Sequence, residues 1–150
     1  MNMLNSGVDF DGAKIALFVG DALAVILRDD DPEILWPNHW DMPGGGREDG
    51  ETPLHCALRE TREELGVQID PDDVIWGKRF DHPSGDKWFF VAHLPATLED
   101  EIELGDEGQM WRLMTPKEYF EAPNNIDRFA DRLGLYLAGI EGDLFERPPA

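Results

Sequence analysis

The most informative segment of the chain covers residues 45–67 and reads GGREDGETPLHCALRETREELGV. Its second half predicts an α-helix with clear ends, because Thr52 is a good N-cap, Pro53 suits the first turn and Gly66 suits the position after the last helical residue. At about 100° per residue, one side of this helix is apolar. That side holds Leu54, Ala57, Leu58, Thr61 and Leu65. The helix therefore has a face that can pack against a sheet.

A second side of the helix gathers three carboxylates, those of Glu60, Glu63 and Glu64. Residues three and four apart are neighbours on a helix, so these groups repel one another, and the dipole disfavours negative charge near the helix C-terminus. A divalent cation would compensate them, since Mg²⁺ and Mn²⁺ prefer carboxylate oxygens. A solvated acidic face, or neutralisation by Arg59 and Arg62, would explain the same pattern.

Short apolar runs on both sides of this segment predict strands. They cover residues 14–19, 22–28, 74–80, 88–94 and 110–114. Gly20-Asp21 predicts a hairpin turn between the first two runs, and residues 36–46 read as a loop. A short helix is expected after Thr115 and a last helix over about residues 126–138. Strands interleaved with well-separated helices favour a mixed α/β sandwich.

The length and charge of the chain limit its function. It has 150 residues and a formal charge of −19, so we expect one domain over residues 1–150, with residues 1–12 and 141–150 as peripheral tails. Such acidity argues against a nucleic acid polymer or an anionic membrane as partner. No apolar run approaches the roughly 20 residues that span a bilayer. With Cys56 as the single cysteine and no secretory signal visible, we expect a cytoplasmic protein.

Counted from Gly45, the residues of the helix and the preceding loop follow the pattern G-x5-E-x7-R-E-x-x-E-E-x-G. The pattern is filled by Gly45, Glu51, Arg59, Glu60, Glu63, Glu64 and Gly66. It resembles the Nudix box, the signature of the Nudix (MutT-like) hydrolases. The family prefers an aliphatic residue after Arg-Glu, where this chain has Thr61; we expect its methyl to pack and its hydroxyl to bond back to the helix. The resemblance implies an α/β/α sandwich with a central mixed β-sheet.

The resemblance also implies a reaction. Nudix hydrolases use Mg²⁺, with Mn²⁺ as a substitute, to cleave the pyrophosphate bond of a nucleoside diphosphate linked to another group. Glu63 and Glu64 would bind the metal, and Glu60 would be a further ligand or the base that takes a proton from water. Arg59 and Glu51 would pair to hold the loop and the helix in place.

Two further metal ligands are implied outside the box. The carbonyl of Gly44 is a ligand in MutT-like members, and glycines allow the backbone to approach an ion closely. A distal acid completes the site in such enzymes, and Glu107 is our candidate. The alternatives in the same acidic stretch are Glu99, Glu101 and Glu103.

Substrate recognition is less defined by the sequence. Aromatic side chains that could stack on a base are Trp36, Trp40, Phe89 and Phe120, although aromatics are more often core residues. Asn124 and Asn125 resemble an asparagine that reads oxidised guanine in MutT-like enzymes, and they equally suit helix capping. Pro83, 16 residues after Val67, resembles a proline of ADP-ribose-cleaving relatives, but it also suits a turn.

We therefore expect a pyrophosphohydrolase that cleaves a nucleoside triphosphate, oxidised or not, to monophosphate and pyrophosphate. The alternatives are an ADP-ribose or nucleotide-sugar pyrophosphatase and a non-catalytic nucleotide sensor. The charge of −19 disfavours RNA decapping. The expected partner is a small nucleotide, bound by a monomer or a homodimer.

Overall fold

The computed structural model describes residues 10–147, which form a seven-stranded mixed sheet between two layers of helices. The strands are β1 (Phe10–Val19), β2 (Ala22–Leu27), β3 (Trp40–Asp41), β4 (Gly44–Gly46), β5 (Val74–Phe80), β6 (Asp86–Leu94) and β7 (Met110–Met114). The α-helices are α1 (Pro53–Leu65), α2 (Pro116–Glu121) and α3 (Asp127–Leu137), and 3₁₀ turns occur at Pro71–Asp73 and Ala96–Glu101. The predicted α/β/α sandwich with a central mixed sheet is confirmed.

The long strand β1 organises the sheet. The strand order is β3-β2-β1-β6-β5, with β4 also paired to β1 and β7 to β2. The pairing of β1 with β6 is parallel, whereas the other pairings of these strands are antiparallel. The predicted hairpin is present, since β1 and β2 pair across Gly20 and Asp21. A central strand with partners on both sides gives the neighbouring site a rigid base.

Two apolar layers lie on opposite faces of this sheet. Ile15 and Leu17 of β1 pack in one layer with the apolar side of α1, whereas Ala16 and Phe18 face the layer that contains Phe129 of α3. This alternation is the period-two pattern of a strand buried on both faces. Among residues 10–147, no helix is long and apolar enough to cross a membrane.

The segment predicted as a loop contains two short strands, so that prediction is wrong in part. Trp40–Asp41 pairs with β2, and Gly44–Gly46 pairs with β1 in the register Gly12 to Gly46 and Lys14 to Gly44. Proline and repeated glycine are typical of loops, and the pairing depends on a partner strand distant in sequence. A side chain at Gly44 would collide with β1, since an added Cβ would lie 2.2 Å from the carbonyl oxygen of Ala13.

The chain ends differ from the expected tails. Residues 10–12 belong to β1 and Phe10 is buried, so the prediction of a tail through residue 12 is wrong for them; residues 1–9 and 148–150 lie outside the described part. Residues 141–147 have no regular structure but lie along β5. The backbone N–H of Asp143 donates to the carbonyl of Gly77 at 2.8 Å, and Phe145 packs on Phe90.

Candidate active site

Helix α1 carries the predicted acidic face and begins and ends where the sequence indicates. Thr52 caps it by accepting a hydrogen bond from the backbone N–H of His55 at 3.2 Å, and Gly66 ends it with a φ of 72°. Thr61 is fully buried, and its hydroxyl donates to the carbonyl of Ala57 at 2.7 Å, as predicted. The buried apolar side fixes the rotation of the helix, which turns its acidic side toward β4.

Arg59 is the centre of the acidic cluster. Its Nε donates to Glu51 at 2.5 Å and its Nη2 to the carbonyl of Gly46 at 2.8 Å. Its Nη1 donates to Glu63 at 3.0 Å and to Glu60 at 3.3 Å. One guanidinium therefore connects the loop before the helix, strand β4 and two of the three clustered glutamates.

The pair of Glu51 and Arg59 is mostly buried and fully ionised. Burial opposes ionisation of Glu51, which is only 6% exposed, but the hydrogen bonds from Arg59 and from the backbone of Glu48 lower its pKa. The hydrogen bond to Glu51 in turn raises the pKa of Arg59. The structure thus brings these two residues together in the arrangement that the box implies.

Glu60 lies against a strand that has no side chains. A Cβ added at Gly45 would come within 2.7 Å of the Glu60 carboxyl carbon, whereas one added at Gly46 would meet nothing closer than 4.0 Å. Burial raises the pKa of Glu60, the charge of Arg59 opposes this, and the charge of Glu63 adds to it. Glycine at position 45 therefore makes room for a carboxylate that is costly to ionise.

Glu64 is the most perturbed carboxylate of the cluster. It accepts a hydrogen bond from the backbone N–H of Gly44 at 2.8 Å. Burial raises its pKa to about 7, although the charge of Lys14 and this hydrogen bond both lower it. Removal of this carboxylate from water therefore outweighs the favourable interactions around it.

The carbonyl of Gly44 already interacts with a cation. Lys14 Nζ donates to it at 2.9 Å and also contacts Asp41 at 3.1 Å. Arg28 Nη1 donates to the same Asp41 carboxylate at 2.9 Å. Asp41, which is buried, therefore holds two basic side chains beside β4.

A cleft of about 220 Å³ opens between the sheet and α3, and we call it the basic cleft. Its charged side chains are Asp11, Lys14, Arg28, Asp41, Lys87, Arg128 and Arg132, and Gly45 and Gly46 form one end. These side chains carry a net charge of +3 in a chain whose net charge is −19. The cleft is thus locally suited to an anion, and it ends at the glycines that contact Glu60.

A second, acidic cleft lies beside Glu64. Glu107 and Asp41 line it together with Glu64. The alternatives Glu99, Glu101 and Glu103 line neither cleft. The structure therefore brings Glu107, and not the other acids of that stretch, to the site.

The family model described as the NUDIX domain matches residues 13–133. The chain belongs to the Nudix family. The RNA pyrophosphohydrolase of Acinetobacter baylyi is 31% identical over 107 residues, covering 56% of this chain and 64% of that relative. The asymmetrical bis(5′-nucleosyl)-tetraphosphatase of Mus musculus is 35% identical over 86 residues, covering 54% of this chain and 58% of that relative. The chain thus spans about three fifths of the length of these curated relatives.

Solved structures show the same Nudix fold at low identity. A Caenorhabditis elegans Ap4A hydrolase matches with a TM-score of 0.65 at 18% identity, covering 86% of this chain and 99% of that one. A MutT protein from Methanosarcina mazei matches with a TM-score of 0.68 at 15% identity, covering 85% and 92%. These matches support the sandwich architecture and carry no information about substrate.

The carboxylates that the Nudix box implies as metal ligands lie on one side of α1 but do not point to a common position. Across residues 10–147, no three His, Cys, Asp or Glu side chains are arranged to hold a metal ion. Arg59 binds Glu60 and Glu63, and Glu64 is held by the N–H of Gly44. The donors are nevertheless hard oxygens, and the raised pKa values of Glu60 and Glu64 indicate unmet negative charge, so the set fits a divalent cation.

The aromatic residues suggested for base stacking divide into two groups. Phe89 is 0% exposed and Trp40 is 7% exposed, and both pack in the layer under α3, so their assignment to substrate binding is wrong. Burial of large aromatic area in the core accounts for both. Phe120 is exposed on α2 and does not line the basic cleft, whereas Trp36 does.

Asn124 and Asn125 use their amide groups within the fold. The Asn124 side chain donates to the carbonyl of Asn38 at 2.9 Å, and Asn125 donates to the carbonyl of Tyr119 at 2.9 Å. Neither residue lines the basic cleft. These hydrogen bonds give both side chains a structural role, and their contact with a base stays a prediction.

The sequence does not predict several charged residues of the site. Asp41, Lys14, Arg28 and Lys87 come from three strands and a strand end, and no local spacing marks them. Arg128 and Arg132 do carry a local signal, because like charges four residues apart on a helix are unfavourable. Both helices thus carry like charges four residues apart, negative on α1 and positive on α3.

Proposed function

We propose that this Nudix protein is a metal-dependent pyrophosphohydrolase that cleaves a nucleoside diphosphate linked to another group. The observation that supports this most directly is the junction at β4. There Glu60 and Glu64, each with a raised pKa, meet the end of a cleft with net positive charge. A phosphate chain in the basic cleft would reach the carboxylates at this junction.

The proposed metal ligands are Glu60, Glu64 and the carbonyl of Gly44, joined by Glu63 when it leaves Arg59 and by Glu107 from the acidic cleft. A bound Mg²⁺ would polarise phosphoryl oxygens and lower the pKa of a bound water. Lys14, which now contacts the Gly44 carbonyl, is placed to bind a phosphate oxygen instead.

The other residues of the box have roles that need no contact with the substrate. Arg59 and Glu51 position the helix against β4, through the hydrogen bonds to Gly46 and to each other.

Glu60 is the group best suited to accept the proton of the attacking water. Its pKa is already raised, and the absence of a side chain at Gly45 keeps it accessible from the cleft.

The substrate that we propose first is a nucleoside triphosphate, cleaved to monophosphate and pyrophosphate. The positive cleft supports a polyanion, whereas the structural roles of Asn124 and Asn125 remove the support for selective reading of an oxidised base. A dinucleoside polyphosphate is the second candidate, because two curated relatives are named as enzymes of that class. ADP-ribose, nucleotide sugars and 5′-triphosphate RNA are further members of the panel that follows.

The test is hydrolysis of a panel by wild type and Glu64→Gln, after EDTA treatment and re-addition of Mg²⁺ or Mn²⁺. The panel contains dATP, 8-oxo-dGTP, diadenosine tetraphosphate, ADP-ribose, UDP-glucose and a 5′-triphosphate RNA. We expect metal-dependent cleavage of at least one compound, and a loss of about 100-fold or more in Glu64→Gln because a metal-ligand charge is gone. Glu99→Gln, on an exposed 3₁₀ turn, is the matched control and should keep full activity.

Two results would contradict the proposal in different ways. Full activity of Glu64→Gln would show that the metal site is elsewhere. Binding of a nucleotide without cleavage of any panel compound would identify a non-catalytic sensor.

The setting of this activity is also a proposal. We infer one domain over residues 1–150, acting in the cytoplasm as a monomer or homodimer, because the single cysteine is buried and both apolar layers are covered within one chain. Sedimentation analysis with and without nucleotide distinguishes the two oligomeric states.

A further inference from the structure

Two arginines of α3 line the basic cleft without an acidic partner. Arg128 and Arg132 form no ion pair and no hydrogen bond with any of residues 10–147. Their spacing of four residues places them side by side on the helix, where like charges repel. Asp127 and Asp131 directly precede the two arginines on α3, but neither carboxylate forms an ion pair with them.

The other basic residues of the cleft each contact a carboxylate. Lys87 Nζ lies 2.6 Å from Asp11, and Lys14 and Arg28 share the carboxylate of Asp41. The net charge of +3 at the cleft therefore includes two arginines that form no ion pair with the described residues.

Arg132 is held in place although it is unpaired. Its guanidinium lies 4.3 Å from the centre of the Phe80 ring on β5, and the side chain is only partly exposed. Burial and the charge of Arg128 together lower the pKa of Arg132 to about 10, although the charge of Asp131 opposes them. An unpaired cation that is stacked and partly buried is oriented for a ligand, because a free surface arginine would extend into water.

We propose that Arg128 and Arg132 form a second phosphate-binding subsite, at the α3 end of the basic cleft and separate from the carboxylates at β4. Guanidinium groups bind phosphate oxygens through paired, charge-assisted hydrogen bonds, which an isolated lysine does not reproduce. The inference rests on the proposed function and extends it. The substrate carries a phosphate group in addition to the pyrophosphate that is cleaved.

This additional phosphate has two chemical sources. It is either a later member of the same polyphosphate chain or a phosphate on the sugar of the nucleotide. Both present negatively charged, non-bridging phosphate oxygens to the arginines. In the first case the phosphate is linked directly to the polyphosphate chain, and in the second the sugar lies between them. Two probes distinguish these cases.

The test measures binding in EDTA, so that neither metal nor hydrolysis is required. The probes are inorganic tripolyphosphate for the chain and adenosine 3′,5′-bisphosphate for the sugar phosphate, titrated by calorimetry into wild type and Arg128→Gln/Arg132→Gln. We expect the double variant to bind at least one probe at least about tenfold more weakly, since the loss of even one charge-assisted contact is worth about that factor. The probe that loses affinity identifies the source, and loss for both shows that the subsite recognises phosphate alone.

Controls separate a subsite from general charge. Lys117→Gln removes one exposed charge that pairs only with Glu121, and it should change affinity less than twofold. Arg132→Lys keeps the charge but not the paired donors, so it should fall between wild type and Arg132→Gln. Urea unfolding confirms that each variant is folded.

The proposal is overturned if wild type binds neither probe, or if the double variant binds both as tightly as wild type. These outcomes are distinct from failure of the proposed function. Loss of hydrolysis in the nucleotide panel would leave the metal-free binding result intact, and equal binding by the double variant would leave hydrolysis intact.

Discussion

Helices α1 and α3 lie on opposite faces of one sheet and each gathers like charges, but they hold these charges differently. On α1, Glu60 and Glu63 share the guanidinium of Arg59. On α3, Arg128 and Arg132 form no ion pair with an acidic side chain among residues 10–147. The net charge of −19 belongs to the whole chain and does not give the local charge of either helix. A metal ion would compensate the negative charges on α1, and a phosphate group would compensate the positive charges on α3.

The largest effect is expected at the internal cation of the acidic side. Arg59→Gln would leave the buried carboxylate of Glu51 without its partner and remove the contact with Gly46. Breaking such a buried pair from one side costs about 3–5 kcal/mol, which urea unfolding would measure. Arg62→Gln, an exposed change on the same helix, should cost less than about 0.5 kcal/mol. Equal losses of unfolding free energy in the two variants would show that Arg59 does not hold the cluster together.

Glu64 should make the metal-free protein less stable as the pH rises. Its pKa is about 7 in the folded chain against 4.5 for an ordinary glutamate, so between these values the folded state binds more protons than the unfolded state. Stability is then full below about pH 4.5 and decreases toward pH 7, by at most about 3 kcal/mol. Unfolding in EDTA at pH 5 and pH 7.5 measures it, taken as the difference between wild type and Glu64→Gln. A difference that does not change with pH would contradict the raised pKa.

The close contact between β4 and α1 offers a smaller and more local test. Gly45→Ala would place a methyl group 2.7 Å from the Glu60 carboxyl carbon and displace that side chain. We expect turnover of the preferred substrate to fall about tenfold, because catalytic geometry tolerates little displacement. Gly46→Ala is the matched control, with no atom nearer than 4.0 Å and an expected change below twofold. Similar rates for the two alanine variants would show that Glu60 does not need its present position.

The smallest effect is expected on the basic side. Phe80→Leu keeps an apolar contact under Arg132 but removes the ring that holds its guanidinium. A cation–π contact of this kind is worth about 0.5–1 kcal/mol, so affinity for the phosphate probe should fall about threefold. An unchanged affinity would mean that the stacking does not orient Arg132 for its ligand.

The difference between the two helices also explains what the sequence could predict. Helix α1 has local punctuation at Thr52 and Gly66 and a dense motif between them, so its bounds and its acidic face follow from neighbouring residues. The strands β5 and β7 likewise begin and end where their apolar runs do. These features depend on contacts within a few residues.

The basic cleft depends on contacts between distant parts of the chain. Lys14 and Lys87 line the same cleft because β1 and β6 pair in parallel, and Asp41 reaches Lys14 because residues 40–41 form a strand. Phe89 and Trp40 were assigned to the substrate because an aromatic residue reads alike in a core and in a pocket. The side of the sheet that each one faces is decided by the packing of α3, which no local pattern reports.

The most direct test of the two-sided account is the Mn²⁺ affinity of three proteins in the absence of nucleotide, measured by calorimetry. These are wild type, Glu64→Gln and Arg128→Gln/Arg132→Gln. If Glu64 binds the metal and the arginines bind only phosphate, Glu64→Gln weakens Mn²⁺ binding about tenfold or more. The arginine variant then stays within about twofold of wild type. Equal Mn²⁺ affinity in wild type and Glu64→Gln would contradict it.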